Sequence, residues 1–388
     1  MKQYKLKDIT ELITCGVAKR PEYTKEGIMF LSSQNVKADK IILDKYNYIS
    51  IYDYERLTKI NKPEKGDILY TRVGSFGEAA VVDIDDKFAL YVSLTLIKPK
   101  KELVNNRYLM HFLNSPKVKE FAKNNTRGIG VQNLNVDTVR EFDIVIPSLN
   151  TQKKIVECLD KAQKLIDKRK EQIEALDELV KSQFIEMFGD PITNRKGWNT
   201  AKLGDICTIS RGGSPRPIDK FLGGPIPWIK IGDATKGDDI YLYKTKEGII
   251  EEGVKKSRLI KKGGLIFANC GVSLGFARIL KIDGCIHDGW LAFEDFDKYL
   301  DKIFFLKSLN YCTEYFRKTA PDGTQPNLNT SIMREYIQIL PPMELQQQFT
   351  KFIEQVDKLK FEMEKSLKEL EDNFNSLMQK AFKGELFN

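Results

Sequence analysis

Histidine is scarce in this chain, and its scarcity limits the enzyme classes that the sequence can support. The 388 residues include only two histidines, His111 and His287. The pentapeptide GVSLG (271–275) fits the G-x-S-x-G turn that presents a nucleophilic serine in α/β-hydrolases. That class places an acid and then a histidine after the serine, but His287 follows Ser273 too closely for this order. We therefore interpret Ser273 as part of a turn and not as a nucleophile.

Metal-binding and membrane signals are also missing. The six cysteines are scattered without a C-x-x-C pair, and Cys285 with His287 supplies only two ligands of the four that a zinc site needs. The cysteines are therefore interpreted as buried strand residues. No apolar run reaches 18 residues, and the start, MKQYKLKDITELI, lacks the apolar core of a signal peptide. These absences predict a cytoplasmic protein without a transmembrane helix.

Three further enzyme classes find no support in the sequence. The sequence has no Walker A motif, which argues against ATP-driven translocation. It has neither a cofactor-binding glycine loop nor the (N/D)-P-P-(Y/F) motif of adenine-N6 methyltransferases, and the nearest strings, GDPIT (189–193) and LPPME (340–344), both fail. The triplet DDK (85–87) has a nuclease-like spacing, but such triplets are common in a chain with 62 basic and 54 acidic residues. We predict no catalytic residue, no metal and no cofactor.

The dominant feature that is present is an internal repeat of about half the chain. QNLNVDTVREFDIVIPSLNTQKKIVECLDKA (132–162) matches PNLNTSIMREYIQILPPMELQQQFTKFIEQV (326–356) at a constant offset. Three earlier segments match with small gaps: YKLKDIT with AKLGDIC, FLSSQNV with WIKIGDA, and KGDILYTRVGSFGEAA with KGGLIFANCGVSLGFA. A repeat of this length indicates two related domains rather than a solenoid. In the first copy the serine of the hydrolase-like turn follows a glycine directly, which removes the elbow spacing.

Each half has an irregular segment of short apolar runs and Gly/Pro turns, followed by one long helix. The irregular segments predict α+β domains that are rich in short strands. Apolar residues then recur every seven positions over four to five heptads, which is typical of a coiled coil. The first series runs through Leu159, Ile166, Ile173, Val180 and Met187, and the second includes Ile353, Leu367, Phe374 and Ala381. Arg169, Gln183 and Lys360 interrupt the seam.

Two similar domains tend to pack about a pseudo-two-fold axis, and the two helices are then expected to run antiparallel. A helix of about 35 residues spans about 50 Å, which exceeds one DNA turn. A net charge of +8 permits nucleic-acid binding without requiring it. The sequence therefore predicts a spacer with two heads, which is a plausible reader of a split DNA site.

Candidate DNA-binding residues lie in glycine-flanked loops that carry Arg, Lys, Asn, Gln, Ser or Thr, because these side chains suit phosphate and base-edge contacts. Taken singly, each could equally be a solvated turn residue, and their recurrence at matched places in both halves is what favours DNA contact. The first half supplies Lys19, Arg20, Arg72, Ser75, Arg127 and Gln132. The second half supplies Arg211, Arg216, Asn269, Ser273, Thr324 and Gln325.

Several segments together resemble the specificity subunits of type I restriction-modification systems. They are IPSLNTQKKI (146–155), MFGDPITNRKGW (187–198), GGSP with IPWIKIGD (212–233), KKGGLIFANCG (261–271) and GTQPNLN (323–329). The resemblance covers essentially the whole chain, in the expected order. One departure is RGIGVQNLN in the first half, because the usual form resembles DGTQPNLN of the second half. The first loop is therefore expected to differ in shape.

The resemblance implies two target recognition domains, each of which reads one half of a bipartite double-stranded DNA target. On this basis we predict recognition domains at 1–148 and 191–342, a central spacer helix at 149–190 and a C-terminal spacer helix at 343–388. It also implies that the helices set the spacing and dock two methyltransferase subunits, and that nuclease-translocase subunits join them. The specificity subunit itself would do no chemistry. Two alternatives stay open: a coiled-coil interaction scaffold without DNA specificity, and a related system whose modification and cleavage subunits are fused.

Overall fold

Two compact units make up the chain, and each contains sheets and helices. The computed structural model describes residues 2–37, 39–74, 76–126, 133–235, 237, 239–271, 273–321 and 327–387. The first unit comprises residues 1–172 and 363–388, and the second unit comprises residues 173–362. Both units are α+β, as predicted. The boundaries of the four predicted parts stay a prediction, because each unit includes segments of both long helices.

The first unit is built on a four-stranded antiparallel sheet with the strand order Thr10–Cys15, Leu94–Pro99, Ile68–Thr71, Ala79–Val81. A second sheet places Ile28–Leu31 between Asn47–Ile49 and Phe88–Leu90, and its last pairing is parallel. Two small pairs join Lys2–Lys5 to Asp143–Ile146, and Val36–Lys37 to Lys40–Ile41. The short helices of this unit are Leu6–Ile9, Ser33–Asn35, Ile51–Leu57, Asn106–Leu113, Pro116–Asn124 and Val136–Arg140.

The second unit has the same plan with more strands. One sheet has the order Thr208–Arg211, Trp290–Glu294, Leu265–Ala268, Ala277–Leu280, Tyr241–Leu242. The other has the order Glu247–Ile249, Leu222–Ile229, Gly284–Ile286, Arg258–Ile260. Asn199–Lys202 pairs with Ile337–Leu340, which matches the pairing of Lys2–Lys5 with Asp143–Ile146. The short helices are Leu203–Ile206, Ile218–Lys220, Ile231–Asp233, Glu251–Val254, Lys302–Tyr311, Thr313–Thr319 and Thr330–Glu335.

Two long helices follow the sheets, at Leu149–Phe188 (the central helix) and Met343–Lys383 (the C-terminal helix). In the first unit Met378 and Ala381 join the core that contains Ile155 and Leu159. In that unit Lys170 also forms an ion pair with Glu371 at 2.9 Å. The start of one helix therefore lies against the end of the other, so the predicted antiparallel pairing is confirmed here.

The second unit repeats this pairing with its own segments of the two helices. Phe184 and Phe188 are buried against Phe349, with ring centroids 5.5 and 5.4 Å apart. Lys360, one of the polar residues that interrupt the heptads, forms an ion pair with Asp177 at 2.6 Å. The helices again run antiparallel. The charged interruption therefore has a partner on the neighbouring helix.

A matched glutamine fastens the start of each long helix to its α+β segment. Gln152 is fully buried; its Oε1 accepts from the Asn105 amide at 2.8 Å, and its Nε2 donates to the Leu103 and Pro147 carbonyls. Because Asn105 is also the N-cap of the helix Asn106–Leu113, one side chain connects two helix starts.

The second unit uses the same device. Gln346 is fully buried and accepts from the amide of the N-cap Asp301 at 2.8 Å, and it donates to the Tyr299 and Pro341 carbonyls. The glutamine that the two copies of the repeat share therefore has a structural reason: in each unit its buried side chain forms hydrogen bonds with three backbone groups.

Candidate nucleic-acid interface

A cleft of about 420 Å³ in the first unit has one of the predicted residues, Arg20, in its lining; we call it the first cleft. Its lining residues are Arg20, Tyr23, Phe30, Ser32, Ser33, Gln34, Asn47, Val73, Gly74, Tyr91 and Ser93. The cleft thus joins Arg20 of the predicted basic loop to Val73 and Gly74 of the predicted TRVGS loop. Hydroxyl, amide and guanidinium groups of this kind suit both phosphates and base edges.

Arg20 is exposed, and its guanidinium carbon lies 5.2 Å from the centre of the Tyr91 ring. A hydrogen bond with Tyr91 raises the pKa of Arg20, whose guanidinium is charged at physiological pH in any case. Phe30 packs against both Tyr91 and Tyr23, each with ring centroids 6.1 Å apart. Arg20 therefore presents a fixed positive charge over an aromatic floor, and Lys19 beside it is also exposed. Such a charge can hold a phosphate.

Arg72 has a different environment from the other predicted cations. It is 8% exposed, and its guanidinium donates to the carbonyls of Leu134 and Val92 at 2.9 and 3.1 Å. Its backbone also bonds to Ser93 and Leu134. The side chain connects the loops that border the first cleft, and it would have to leave both carbonyls to reach DNA. Contact of Arg72 with DNA stays a prediction, whereas its role in holding these loops is a property of the structure.

The second unit groups three predicted or charged side chains around His287. Burial is the largest cause of the lowered pKa of His287; the positive charges of Lys230, Arg216 and Arg211 lower it further, and Asp288 opposes them. Arg211 and Arg216 are exposed, and Arg211 donates to the Asp288 carbonyl at 2.9 Å. Three positive charges and the Asp288 carboxylate therefore lie near His287, and positive side chains of this kind suit phosphate contacts.

The surface around His287 also contains a pair of packed aromatic rings. Trp228 and His287 lie with ring centroids 5.6 Å apart, and the Lys230 ammonium lies 5.6 Å from the centre of the Trp228 ring. Lys230 also forms an ion pair with Glu247 at 2.6 Å. We call the group Arg211, Arg216, Trp228, Lys230 and His287 the second face. Its ring pair takes the place of Phe30 and Tyr91 in the first cleft.

The same close backbone contact supports both sites. A Cβ on Gly16 would lie 2.2 Å from the Leu90 carbonyl oxygen, and one on Gly212 would lie 2.2 Å from the His287 carbonyl oxygen. Real Cβ atoms do not approach a carbonyl so closely, so only glycine fits at either place. The two copies of the repeat therefore share this close backbone contact, whereas the side chains of the first cleft and of the second face differ.

Asn269 occupies in the second unit the place that Arg72 has in the first. Its backbone bonds to Leu328 and Gly289, and its buried side chain donates to the Asn327 side chain at 3.1 Å. Ser273 is half-buried in the turn between Leu265–Ala268 and Ala277–Leu280. His287 accepts from the Gly289 amide, which gives no support to a serine–histidine pair. DNA contact by Asn269 or Ser273 stays a prediction.

Several predicted residues cannot be placed. Ser75, Arg127, Gln132, Thr324 and Gln325 lie outside the described residues. Asn133 and Asn327, the first described residues after 127–132 and 322–326, form matching bridges with Val73 and Cys270.

Sequence reasoning missed Gln34, Tyr91, Trp228 and Lys230. Gln34 lies in FLSSQNV, and Trp228 and Lys230 lie in WIKIGDA. These two segments align as part of the repeat. The alignment was a signal that both segments hold equivalent positions, but nothing in it showed that they border the predicted loops.

Two expected absences can be examined within the described ranges. They contain no group of three or more His, Cys, Asp or Glu side chains that could hold a metal ion. In the same ranges, no helix has the length and apolar character needed to cross a membrane. All six cysteines are free.

The family model for "Type I restriction modification DNA specificity domain" matches residues 1–176 and 195–372. The chain belongs to this family. Relatives include the type I restriction enzyme MjaIX specificity subunit of Methanocaldococcus jannaschii, 26% identical over 83% of this chain and 78% of the relative. The EcoKI specificity subunit of Escherichia coli is 21% identical over 75% of this chain and 68% of the relative.

Solved structures show that the type I specificity fold extends over the whole chain. A structure described as "Structural basis underlying complex assembly and conformational transition of the type I R-M system" has a TM-score of 0.66 at 17% identity, over 99% of this chain and 98% of the other. The type I S subunit of M. genitalium has a TM-score of 0.53 at 17% identity, over 98% and 96%. The family resemblance predicted from the motifs is therefore confirmed.

Proposed function

We propose that this chain is the DNA-reading subunit of a type I restriction-modification complex. The first cleft and the second face each read one half of a bipartite target. The two long helices set the distance between the half-sites and dock two methyltransferase subunits, which nuclease-translocase subunits join. The chain itself contributes recognition and no chemistry.

One observation carries the proposal: the two units build their sites on the same support and cover it with different side chains. Gly16 and Gly212 allow the same close backbone approach, and the aromatic pairs Phe30–Tyr91 and Trp228–His287 hold the same place. A protein that binds one partner twice would need the same lining in both copies. Two different linings on one support suit two different half-sites, so the target need not be a palindrome.

The test is a genome-wide map of N6-methyladenine in cells with the chain present and deleted, followed by replacement of residues 1–147 with another head. We expect one split motif to disappear on deletion, and only one of its halves to change on replacement. If both halves change, the two-headed arrangement is wrong.

An interaction scaffold without DNA specificity predicts an unchanged map. It also predicts that any DNA complex of the purified assembly shows no steep salt dependence, whereas phosphate contacts by several lysines and arginines make affinity fall steeply with salt. As a control, the full chain is expressed again in the deletion strain. If the original motif returns, its loss was caused by the absence of this subunit and not by loss of the partner subunits.

A further inference from the structure

Gln34 is an exposed side chain at the centre of the turn Ser33–Asn35, and it lines the first cleft together with Arg20. The structure records one hydrogen bond of its amide, a 3.3 Å contact from Nε2 to the Lys45 carbonyl at the long end of the usual range. Within the described residues its Oε1 has no partner. Gln34 thus presents an acceptor and an only weakly held donor to the cleft.

Hydrogen bonds of the neighbouring residues Asn35 and Ser33 fix the turn that carries Gln34. Asn35 is 1% exposed; its Oδ1 accepts from the Ser32 amide at 3.0 Å, and its Nδ2 donates to the Ile42 and Lys45 carbonyls at 2.9 and 2.8 Å. The Ser33 amide donates to the buried Ser93 hydroxyl at 2.9 Å. Since four hydrogen bonds fix the backbone, only the side-chain torsions of Gln34 must be ordered when it binds. A fixed backbone of this kind favours selective recognition.

The chemistry of the amide selects among the bases. A glutamine accepts from N6 and donates to N7 of adenine in the major groove, whereas an arginine pairs with guanine and a carboxylate accepts from cytosine. Arg20 lies over the Tyr91 ring in the same cleft and can hold the DNA backbone while Gln34 meets a base edge.

The second unit has no side chain equivalent to Gln34. Its turn Ile231–Asp233 is closed in the same way, with the Lys230 amide donating to Asp233 Oδ2 at 2.9 Å. Gly232 occupies there the position that Gln34 has in the first unit, so no side chain projects from that position. The second half-site must therefore be read by other groups.

We propose that Gln34 reads an adenine in the half-site of the first unit. This inference rests on the proposed function. Gln34→Ala relaxes one A·T position in one half of the target and leaves the other half unchanged. Gln34→Glu, which keeps the shape and removes the donor, shifts that position from adenine toward cytosine.

The experiment maps N6-methyladenine in cells that hold the full chain and its partner subunits, for the natural chain, Gln34→Ala, Gln34→Glu and the control Gln3→Ala. Gln3 is an exposed glutamine of the same unit that lines a different cavity. A bidentate base contact discriminates by about 5- to 140-fold, from about 1–3 kcal/mol at 1.4 kcal/mol per tenfold. We expect a loss of preference of this size at one position for Gln34→Ala and none for Gln3→Ala.

Different outcomes test the two claims separately. A split motif in the natural chain that Gln34→Ala leaves unchanged overturns the role of Gln34 while the proposed function stands. Uniformly weaker methylation with the same motif also overturns it, because Gln34 would then contribute affinity and not base selection. Relaxation at a position other than A·T overturns the adenine assignment. No split motif in the natural chain overturns the proposed function itself, and the inference with it.

Discussion

Replacing Gln152 with alanine should destabilise the first unit far more than an ordinary glutamine replacement. The fully buried side chain makes three hydrogen bonds, to the Asn105 amide and the Leu103 and Pro147 carbonyls. A buried group left without its partner costs about 1–3 kcal/mol, and carbonyls tolerate the loss better than amides. One orphaned amide and two weakened carbonyls together amount to about 3 kcal/mol. That is a large part of the 5–15 kcal/mol that is typical of a domain.

Thermal unfolding of the purified full chain is the assay. For a unit of this size, 1 kcal/mol shifts the midpoint by about 2–4 °C, so Gln152→Ala should lower it by about 6–12 °C. The matched control is Gln172→Ala on the same helix, where an exposed glutamine only accepts from Arg169 at 3.1 Å. That loss should cost less than about 0.5 kcal/mol. Equal midpoints for the two variants would refute the idea that Gln152 fastens the helix to the α+β segment.

Two further predictions concern other connections. Gly16→Ala and Gly212→Ala should each destabilise the chain by about 3 kcal/mol in chemical denaturation, since the new Cβ would lie 2.2 Å from a carbonyl oxygen. The control Gly232→Ala should change the stability little, because no described atom lies within 4 Å of its Cβ. Equal stability of all three variants would contradict the close-approach argument. Burial alone would raise the pKa of Asp160, but hydrogen bonds from His111 and Arg107 outweigh it and lower the pKa to about 2. The stability that this carboxylate contributes is therefore present above its ordinary pKa and lost as pH falls toward 2. Asp160→Asn should lower the free energy of unfolding by about 1 kcal/mol at pH 7, after allowance for the partial exposure of Asp160. The difference in this free energy between the variant and the natural chain should shrink between pH 4 and pH 2. A constant difference would be evidence against the ion-pair contribution.

The sequence predicted the architecture well because the repeat and the heptads are long-range regularities. The offset that aligned Gln152 with Gln346 identified a shared position, and the structure supplies its reason in three backbone partners on each side. The heptad reasoning also placed both helices, although it omitted Phe184 and Phe188, which supply the aromatic contacts at the end of the central helix.

The candidate site was harder to predict, because the same chemical groups serve DNA and the protein backbone. Arg72 and Arg20 both lie in basic, loop-rich sequence. The Arg72 guanidinium donates to two backbone carbonyls, whereas Arg20 is exposed beside an aromatic ring. Burial and partners come from the folded loops, which a sequence pattern does not contain. Gln34 was passed over for the related reason that its rigidity comes from Asn35, Ser32 and Ser93, which are distributed over 60 residues.

The division of each long helix between the two units has a consequence for synthesis on the ribosome. Met378 and Ala381 complete the core of the first unit, but residues 173–362 of the second unit are translated before them. At 5–20 residues per second, these residues take about 10–40 s to make. Throughout that interval the core that contains Ile155 and Leu159 of the nascent central helix lacks Met378 and Ala381. The first unit is thus begun early in synthesis, and its core is completed only when the end of the chain has been made.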